Sequence, residues 1–364
     1  MKFICDSAAL AKACVNVQRA VSAKSTIPSL EGILINAHGD SVKLTGYDLE
    51  VGSETFVAGD IIEDGSVVLN AKHLCDIMRL VPDDETEIEC DERDICKIKS
   101  GETQYSIIGI SSDDYPDIPE VTSGFPIVIS QLLLKDMIKK TIFSVSTGDR
   151  NPVHSGIKFD ITDGRIVLAA VDGSRLAIRR EDIEYSGEDF SFVVPSKTLS
   201  EVLKLGDDND EAYKISVGKR HICFEIGNYR IISRLLEGNF IDYNAAIPAS
   251  YSTTVKVATR RIIESIERTS LIITDRTVPV HCVIENGTVK FSCVTTVGTA
   301  NDKLAADIEG SDIEIGFNNK FMLDALKACE KDEINVKFNS PNQPIVIVPI
   351  EGDNFLFMVL PMRI

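Results

Sequence analysis

Three lysines hold the same place in three copies of one short pattern. Lys72, Asp76 and Arg79 set a cation, an acid four residues on and a second cation three further on; Lys197, Glu201 and Lys204 repeat this, as do Lys320, Asp324 and Lys327. Spacings of four and seven place each trio on one helix face. Long cations distributed in this way suit phosphate contacts that position a nucleic acid without reading its sequence. Groups for covalent or acid–base chemistry are not assembled. The chain has no Walker loop, no GxGxxG at a strand–helix junction and no HExxH. His38, His73, His154, His221 and His281 lack a carboxylate or cysteine at ligand spacing. Val171-Asp172-Gly173-Ser174-Arg175 places a serine near an acid but lacks the second glycine of a nucleophile elbow, so it reads as a polar strand-end turn. Pro82-Asp83-Asp84-Glu85 and Gly206-Asp207-Asp208-Asn209-Asp210 read as solvated loops. No catalytic residue, metal ligand set or cofactor is expected.

The elements that must carry these cations repeat with them. Val68–Leu80 recurs 125 residues later as Val193–Leu205, and again after a further 123 from Gly316. Gly32–Asp48 superposes without a gap on Gly156–Asp172, bringing Pro28 onto Pro152, and a weaker third copy runs from Pro279 to Thr295. The period is too long for a solenoid unit of roughly 20–50 residues and is the size of a domain. Each copy reads as helix, strands, helix, strands. The helical windows are 7–20, 71–80, 130–143, 196–205, 259–270 and 318–329; in the third, Leu132, Leu133, Met137, Ile138 and Ile142 mark the buried stripe. Gly39-Asp40, Asp163-Gly164 and Asn286-Gly287 lie between alternating segments and predict hairpins. Sequential strands with short turns favour antiparallel sheets with helices on one face. The expected class is α+β, three similar domains at 1–122, 123–252 and 253–364.

With 44% hydrophobic and 26% charged residues over 364 positions, the chain can bury real cores. No apolar run approaches the ~20 residues of a membrane span, and Met1–Asp6 lacks the regions of a signal peptide. Nine cysteines without a CxxC pair point to reduced thiols in a cytoplasm, Cys90 and Cys96 included as unrelated thiols. A net charge of −18 ordinarily opposes nucleic-acid binding. Its distribution reverses that reading. The six helical windows hold 14 Lys or Arg against 6 Asp or Glu, an excess of eight positive charges, which leaves 26 excess negative charges elsewhere. Aromatic residues are 6% with no Trp, so a base-stacking platform is not indicated.

Several segments carry a family resemblance. Leu44-Thr45-Gly46-Tyr47-Asp48-Leu49-Glu50, Val171-Asp172-Gly173-Ser174-Arg175-Leu176, Asn239-Phe240-Ile241-Asp242-Tyr243 and the ending Val359-Leu360-Pro361-Met362-Arg363-Ile364 are similar to signatures of the β sliding clamps of the bacterial replicative DNA polymerase. The resemblance spans all three repeats. It implies a head-to-tail homodimeric ring around duplex DNA, to which the polymerase is tethered. With helices ~10 Å across, six in a ring leave about 9 Å clear and twelve leave about 28 Å, so two chains admit a duplex of roughly two helix widths and one does not.

The resemblance implies DNA contacts at Lys24, Lys72 and the loop Arg150-Asn151-Pro152-Val153. Repeat equivalence adds Arg79, Lys197, Lys204, Lys320 and Lys327. It further implies a cleft that binds short peptides of the polymerase, clamp loader and repair proteins. That cleft matches Val171, Gly173, Ser174, Arg175, Leu176, Pro248, Asn342, Pro344, Met358, Val359, Leu360, Pro361, Met362 and Arg363. Ser174 stands where many members have His, and His154 where an apolar residue is common; both bear on which peptide is preferred. The dimer seam is expected at Tyr105 and Ile107 against Leu271 and Ile272. Two rival readings are a peptide-binding scaffold without DNA and a serine hydrolase built on Asp172-Gly173-Ser174.

Overall fold

The three expected hairpins form at turns whose backbone needs those residues. The computed structural model describes residues 1–122, 125–148, 151–205, 211–275 and 277–364. Asp163 (φ 50°) and Gly164 (φ 72°) both take positive φ, as do Asn286 (φ 50°) and Gly287 (φ 72°). Two successive positive values are the demand of a type I′ turn, whose twist matches that of the strands it joins. Gly39, at φ 67°, opens the third turn. The strands beside them pair antiparallel: Gly156–Thr162 with Arg165–Val171, Val280–Glu285 with Thr288–Thr295, and Gly32–His38 with Ser41–Tyr47. A 3-10 turn, Pro28–Glu31 or Pro152–Ser155, leads into the first two hairpins, as the overlay of Pro28 on Pro152 requires.

Among the described residues there are seven α-helices: α1 Ser7–Gln18, α2 Ala71–Met78, α3 Gln131–Ile142, α4 Ser196–Val202, α5 Tyr243–Ala246, α6 Thr259–Ser270 and α7 Asn319–Ala328. Six fall in the predicted windows. The short α5 was not expected; Asp242 caps it through Asn244 and Ala245 N–H. Side-chain caps start four of the others, Ser130 Oγ accepting from Leu133 N–H at α3 among them. Asp6 accepts from Ala9 N–H, Asn70 from His73 and Asn318 from Phe321, each relieving an orphan first-turn donor. α1 buries Leu10, Ala13, Cys14 and Val17 against the N-terminal core. It lies close to its sheet because Gly46 has no side chain: a Cβ there would sit 2.5 Å from the Val17 carbonyl oxygen. α6 and α7 pack together and bury Ile262, Ile266, Met322 and Leu326 beneath them. No helix of the described residues is long and apolar enough to cross a membrane.

The strands gather into two compact units, one of residues 1–134 with 197–235 and one of 135–196 with 236–364. The middle repeat is therefore shared: α3's greater part and its hairpin belong to the second unit, α4 and the strands after it to the first. In the first unit a twelve-stranded sheet continues across the repeat boundary, with Val51–Glu63 pairing Tyr229–Arg234 at Ser53↔Ile231. In the second, Arg175–Asp182 pairs with Phe355–Val359 at Ala177↔Phe357 in a nine-stranded sheet; a separate five-stranded sheet ends at Gly298–Ala305. Repeats that each hold two similar halves make this exchange possible.

One expectation is corrected. Cys90 and Cys96 are not unrelated thiols but a disulfide, with Cα atoms 4.1 Å apart. Glu85–Cys90 and Ile95–Ser100 are adjacent strands joined by a short turn, and their register sets Cys90 directly opposite Cys96. The other seven cysteines are free and buried.

Candidate nucleic-acid and peptide interfaces

The three repeated lysines occupy one structural position. Lys72, Lys197 and Lys320 are each the second residue of their helix, α2, α4 and α7, and each is exposed. Helix stability does not explain that placement, because a cation in the first turn opposes the helix dipole. The same end offers free backbone N–H groups, and a lysine beside them adds attraction for an anion. The acid one turn on behaves differently in each copy. Asp76 pairs with Arg79 at 3.5 Å and Glu201 with Lys204 at 2.7 Å, each with a cation three residues on, just past the helix end. Asp324 instead binds Arg175 at 2.7 Å, and Lys327 turns to Glu267 of α6, also at 2.7 Å.

Lys197 is not a free cation: its Nζ lies 2.5 Å from Asp48 Oδ2. Ser22 and Ala23, beside exposed Lys24, border with Lys72 a groove of about 400 Å³. A second groove, about 490 Å³, brings Lys12 of α1 together with Lys204 and Glu211. Asn151 is exposed, its amide 3.4 Å from His154 Nε2. Arg150 lies outside the described residues.

The expected cleft gathers around one turn. Asp172 Oδ1 accepts the N–H groups of Ser174 (3.0 Å) and Arg175 (3.1 Å), and Gly173 between them stands at φ 87°. The same turn occurs one repeat earlier, where Asp48 accepts from Glu50 and Val51 around Leu49 at φ 74°. The Asp172 carboxylate is thus committed to a turn and to the Arg175 guanidinium at 2.7 Å. Arg175 is itself held, lying 4.4 Å from the centroid of the Phe321 ring and 5.7 Å from that of Phe143. Its place between two carboxylates and two rings makes it a strut of the wall.

Beside the turn, Val171, Leu176 and Met358 join Val346, Ala169, Ile178, Tyr243 and Leu356 in one apolar cluster, with Phe240, Ile247 and Tyr251 half-buried on it. Val359 does not belong here. Successive strand residues face opposite sides, and Val359 points with Phe355 and Phe357 into the core of the third repeat, where it is fully buried. Leu360, which donates its N–H to the Ser174 carbonyl at 2.8 Å, stays accessible. Pro361–Met362 forms a short strand on Ile313–Phe317, Arg363 is exposed, Pro248 and Pro344 are half-buried and Asn342 is exposed.

Sequence reasoning did not select Phe240, Ile247 or Val346, although Phe240 lies in the Asn239–Tyr243 motif. The His154 and Phe240 rings meet nearly at right angles, centroids 5.3 Å apart, and burial holds the imidazole below its ordinary pKa. Burial, and the Asp160 carboxylate 2.5 Å away, push the Tyr243 phenol up.

For the seam, Thr103–Ile108 is an outer strand of its sheet. Tyr105 and Ile107 turn inward onto the core while Ile108 is 81% exposed. Gly298–Ala305 is likewise an outer strand, and α6 packs on it through Arg268 and Asp302 at 2.6 Å. Leu271, just past α6, is 81% exposed and Ile272 half-buried. The two open edges left no signal in the sequence pattern. No group of three or more His, Cys, Asp or Glu able to hold a metal occurs among the described residues.

Helix, strands, helix, strands, repeated over antiparallel sheets, define a clamp-type α+β protein. The N-terminal, central and C-terminal domain models of the DNA polymerase III beta subunit match residues 1–119, 128–242 and 244–363. The beta sliding clamp of Halalkalibacterium halodurans is 32% identical over 378 residues, and that of Bacillus subtilis 32% over 384, each match covering both chains in full. Among solved structures, the Bacillus subtilis DNA polymerase sliding clamp superposes with a TM-score of 0.97 at 31% identity, over 100% of this chain and 99% of that one. The beta subunit from the DNA polymerase of Streptococcus pyogenes gives 0.96 at 26%, over the whole of both. The chain belongs to the DNA polymerase III beta subunit family, the bacterial sliding clamps.

Proposed function

We propose that two copies of this chain close head to tail into a ring around duplex DNA and hold the replicative polymerase on it. In this reading the chain is a non-catalytic accessory subunit in the cytoplasm, built of three clamp domains near 1–122, 123–252 and 253–364. The N-terminal and central family models, over 1–119 and 128–242, fall inside the first two of these spans, whereas the C-terminal model starts at 244, ahead of 253. The observation that carries the proposal is the exposed lysine at the second position of α2, α4 and α7 in a chain of net charge −18. Lys24, Asn151, Arg79, Lys204 and Lys327, with Arg150, extend the same lining. Their contacts are to phosphates and weak, since retention by a closed ring needs no tight binding and tight binding would stop sliding. The acidic remainder repels DNA from the outside of the ring.

Partner peptides dock on the apolar cluster of Val171, Leu176 and Met358, with Phe240, Ile247 and Val346 added. Its rim is Gly173, Ser174, Leu360, Pro361, Met362 and Arg363, with Pro248, Asn342 and Pro344. Methionine and leucine give an adaptable wall for apolar anchors. The polymerase, clamp loader and repair proteins compete for it. The copies join where the open edge Thr103–Ile108 of one meets the open edge Gly298–Ala305 of the other, beside Leu271 and Ile272; unpaired edges of this kind are ready templates for pairing.

The test replaces Lys72, Lys197 and Lys320 with Glu. Processive product length is expected to fall about tenfold, with the dimer mass unchanged by ultracentrifugation. Because Lys197 also braces Asp48, the double variant Lys72→Glu, Lys320→Glu separates charge from bracing. Full processivity in both variants would overturn the assignment of the lining.

A further inference from the structure

The Cys90–Cys96 bridge sits beside a surface on which the proposed assembly depends. Cys96 faces Cys90 on one side and Ile107 on the other, so the bridge is anchored on the strand that pairs directly with the open edge Thr103–Ile108. Among the described residues that edge strand pairs with Ile95–Ser100 alone, so whatever fixes Ile95–Ser100 fixes the edge. The turn between the two cysteines is already organised without the bridge. Asp91 Oδ1 accepts from Arg93 and Ile95 N–H at 2.9 Å each, Asp94 stands at φ 58°, and Gly109 donates to the Asp94 carbonyl at 2.8 Å. A preformed turn holds the two sulfurs facing one another in the reduced chain as well, so bridge formation needs no refolding. Directly opposed antiparallel residues that do not share hydrogen bonds bring their side chains closest. Cys90 is 8% exposed and Cys96 fully buried, so Cys90 is the more accessible residue of the pair.

We propose that Cys90 and Cys96 form a reversible thiol–disulfide site whose co-reactants are low-molecular-weight disulfides and thiols, and that its oxidation stiffens the edge strand Thr103–Ile108. The chemistry balances as two exchanges. The Cys90 thiolate attacks a small disulfide, forming a mixed disulfide and releasing one small thiolate. The Cys96 thiolate then attacks the Cys90 sulfur of the mixed disulfide, closing the bridge and releasing the second. The protein loses two protons and two electrons; the reagent becomes two thiols. A small dithiol reverses both steps. Edge hairpins open locally at low cost, and a covalent tie across the turn suppresses that opening. The consequence for the second copy, a longer-lived dimer in the oxidised form, rests on the edge-to-edge assembly proposed above.

The full-length protein is incubated with glutathione disulfide or with dithiothreitol, then alkylated and mapped by peptide mass. Hydrogen exchange is followed over residues 95–108, and dimer dissociation by dilution and ultracentrifugation. Expected are blocked Cys90 and Cys96 after the disulfide, free ones after dithiothreitol, and edge amides that exchange about tenfold more slowly when oxidised. The Cys90→Ser, Cys96→Ser variant should show the faster rate under both conditions. Both thiols free after glutathione disulfide, or edge exchange equal in the two states, would overturn the site. A monomer in both states overturns the docking consequence and the ring together; dimers equally long-lived in both overturn the docking consequence alone.

Discussion

Asp48 and Asp172 use one side chain twice, bonding two N–H groups of a turn with one oxygen and a cation with the other. The residue between Asp and Ser or Glu must take positive φ, and the two repeats solve this differently, with Leu49 and with Gly173. Space does not force glycine at 173, since a Cβ there would meet nothing within 4 Å. Only the backbone does. Gly173→Ala should therefore cost about 1 kcal/mol of stability, the ordinary penalty of a left-handed non-glycine residue, without a packing clash. A thermal-unfolding midpoint equal to or above that of the parent would contradict it. At this scale the sequence was partly legible. Three lysines in register announced a shared face. The acids beside them did not announce their partners, because Asp324 finds Arg175 from 149 positions away and no local pattern encodes that meeting.

Helices and hairpins were read nearly to the residue because 3.6-residue periodicity, caps and Asp-Gly or Asn-Gly turns are local signals. Strand edges are not local. Nothing in Thr103–Ile108 or Gly298–Ala305 says that one side goes unpaired; that depends on which strands arrive from elsewhere in the chain. Strand alternation does say that Met358 and Val359 face opposite sides, which is why only the former lines the cluster. The last element tests this division. Pro361–Met362 pairs with Gly316 and Phe317, and Leu360 is tied to Ser174 at the turn beside the cluster, while the buried Phe355–Val359 strand pairs with Arg175–Asp182 without them. Deleting Pro361 to Ile364 should weaken binding of a fluorescent Gln-containing apolar peptide by at least about tenfold, as loss of an anchor wall does. The dimer mass should stay unchanged. Peptide affinity within a factor of about two of the parent would move the docking site elsewhere.

The threefold period was legible as the size of a domain; the division into two units was not. Sheets join Ser53 to Ile231 and Ala177 to Phe357, pairings nearly 180 residues apart whose only cause is tertiary. The chain as a whole sets net −18 against six helical windows that carry eight excess positive charges, and in the proposed ring this contrast decides how DNA is held. If affinity did the holding, salt would release it, since each phosphate contact adds roughly one unit of salt dependence and moderate salt erases several contacts. A protein this acidic would then dissociate from circular and linear DNA alike. If enclosure does the holding, shape decides: on a nicked circle the protein has no end to leave by, and weak contacts suffice to keep it centred. Loaded onto a nicked circle by a bacterial clamp loader, the chain should persist through gel filtration at about 0.5 M salt, where the Debye length has shrunk to roughly 4 Å and surface attraction is largely screened. One cut that linearises the circle should then release it within the run, and blocking both ends with bulky proteins should restore retention. Equal retention on open linear and circular DNA at that salt would mean that attraction, not topology, keeps the protein in place.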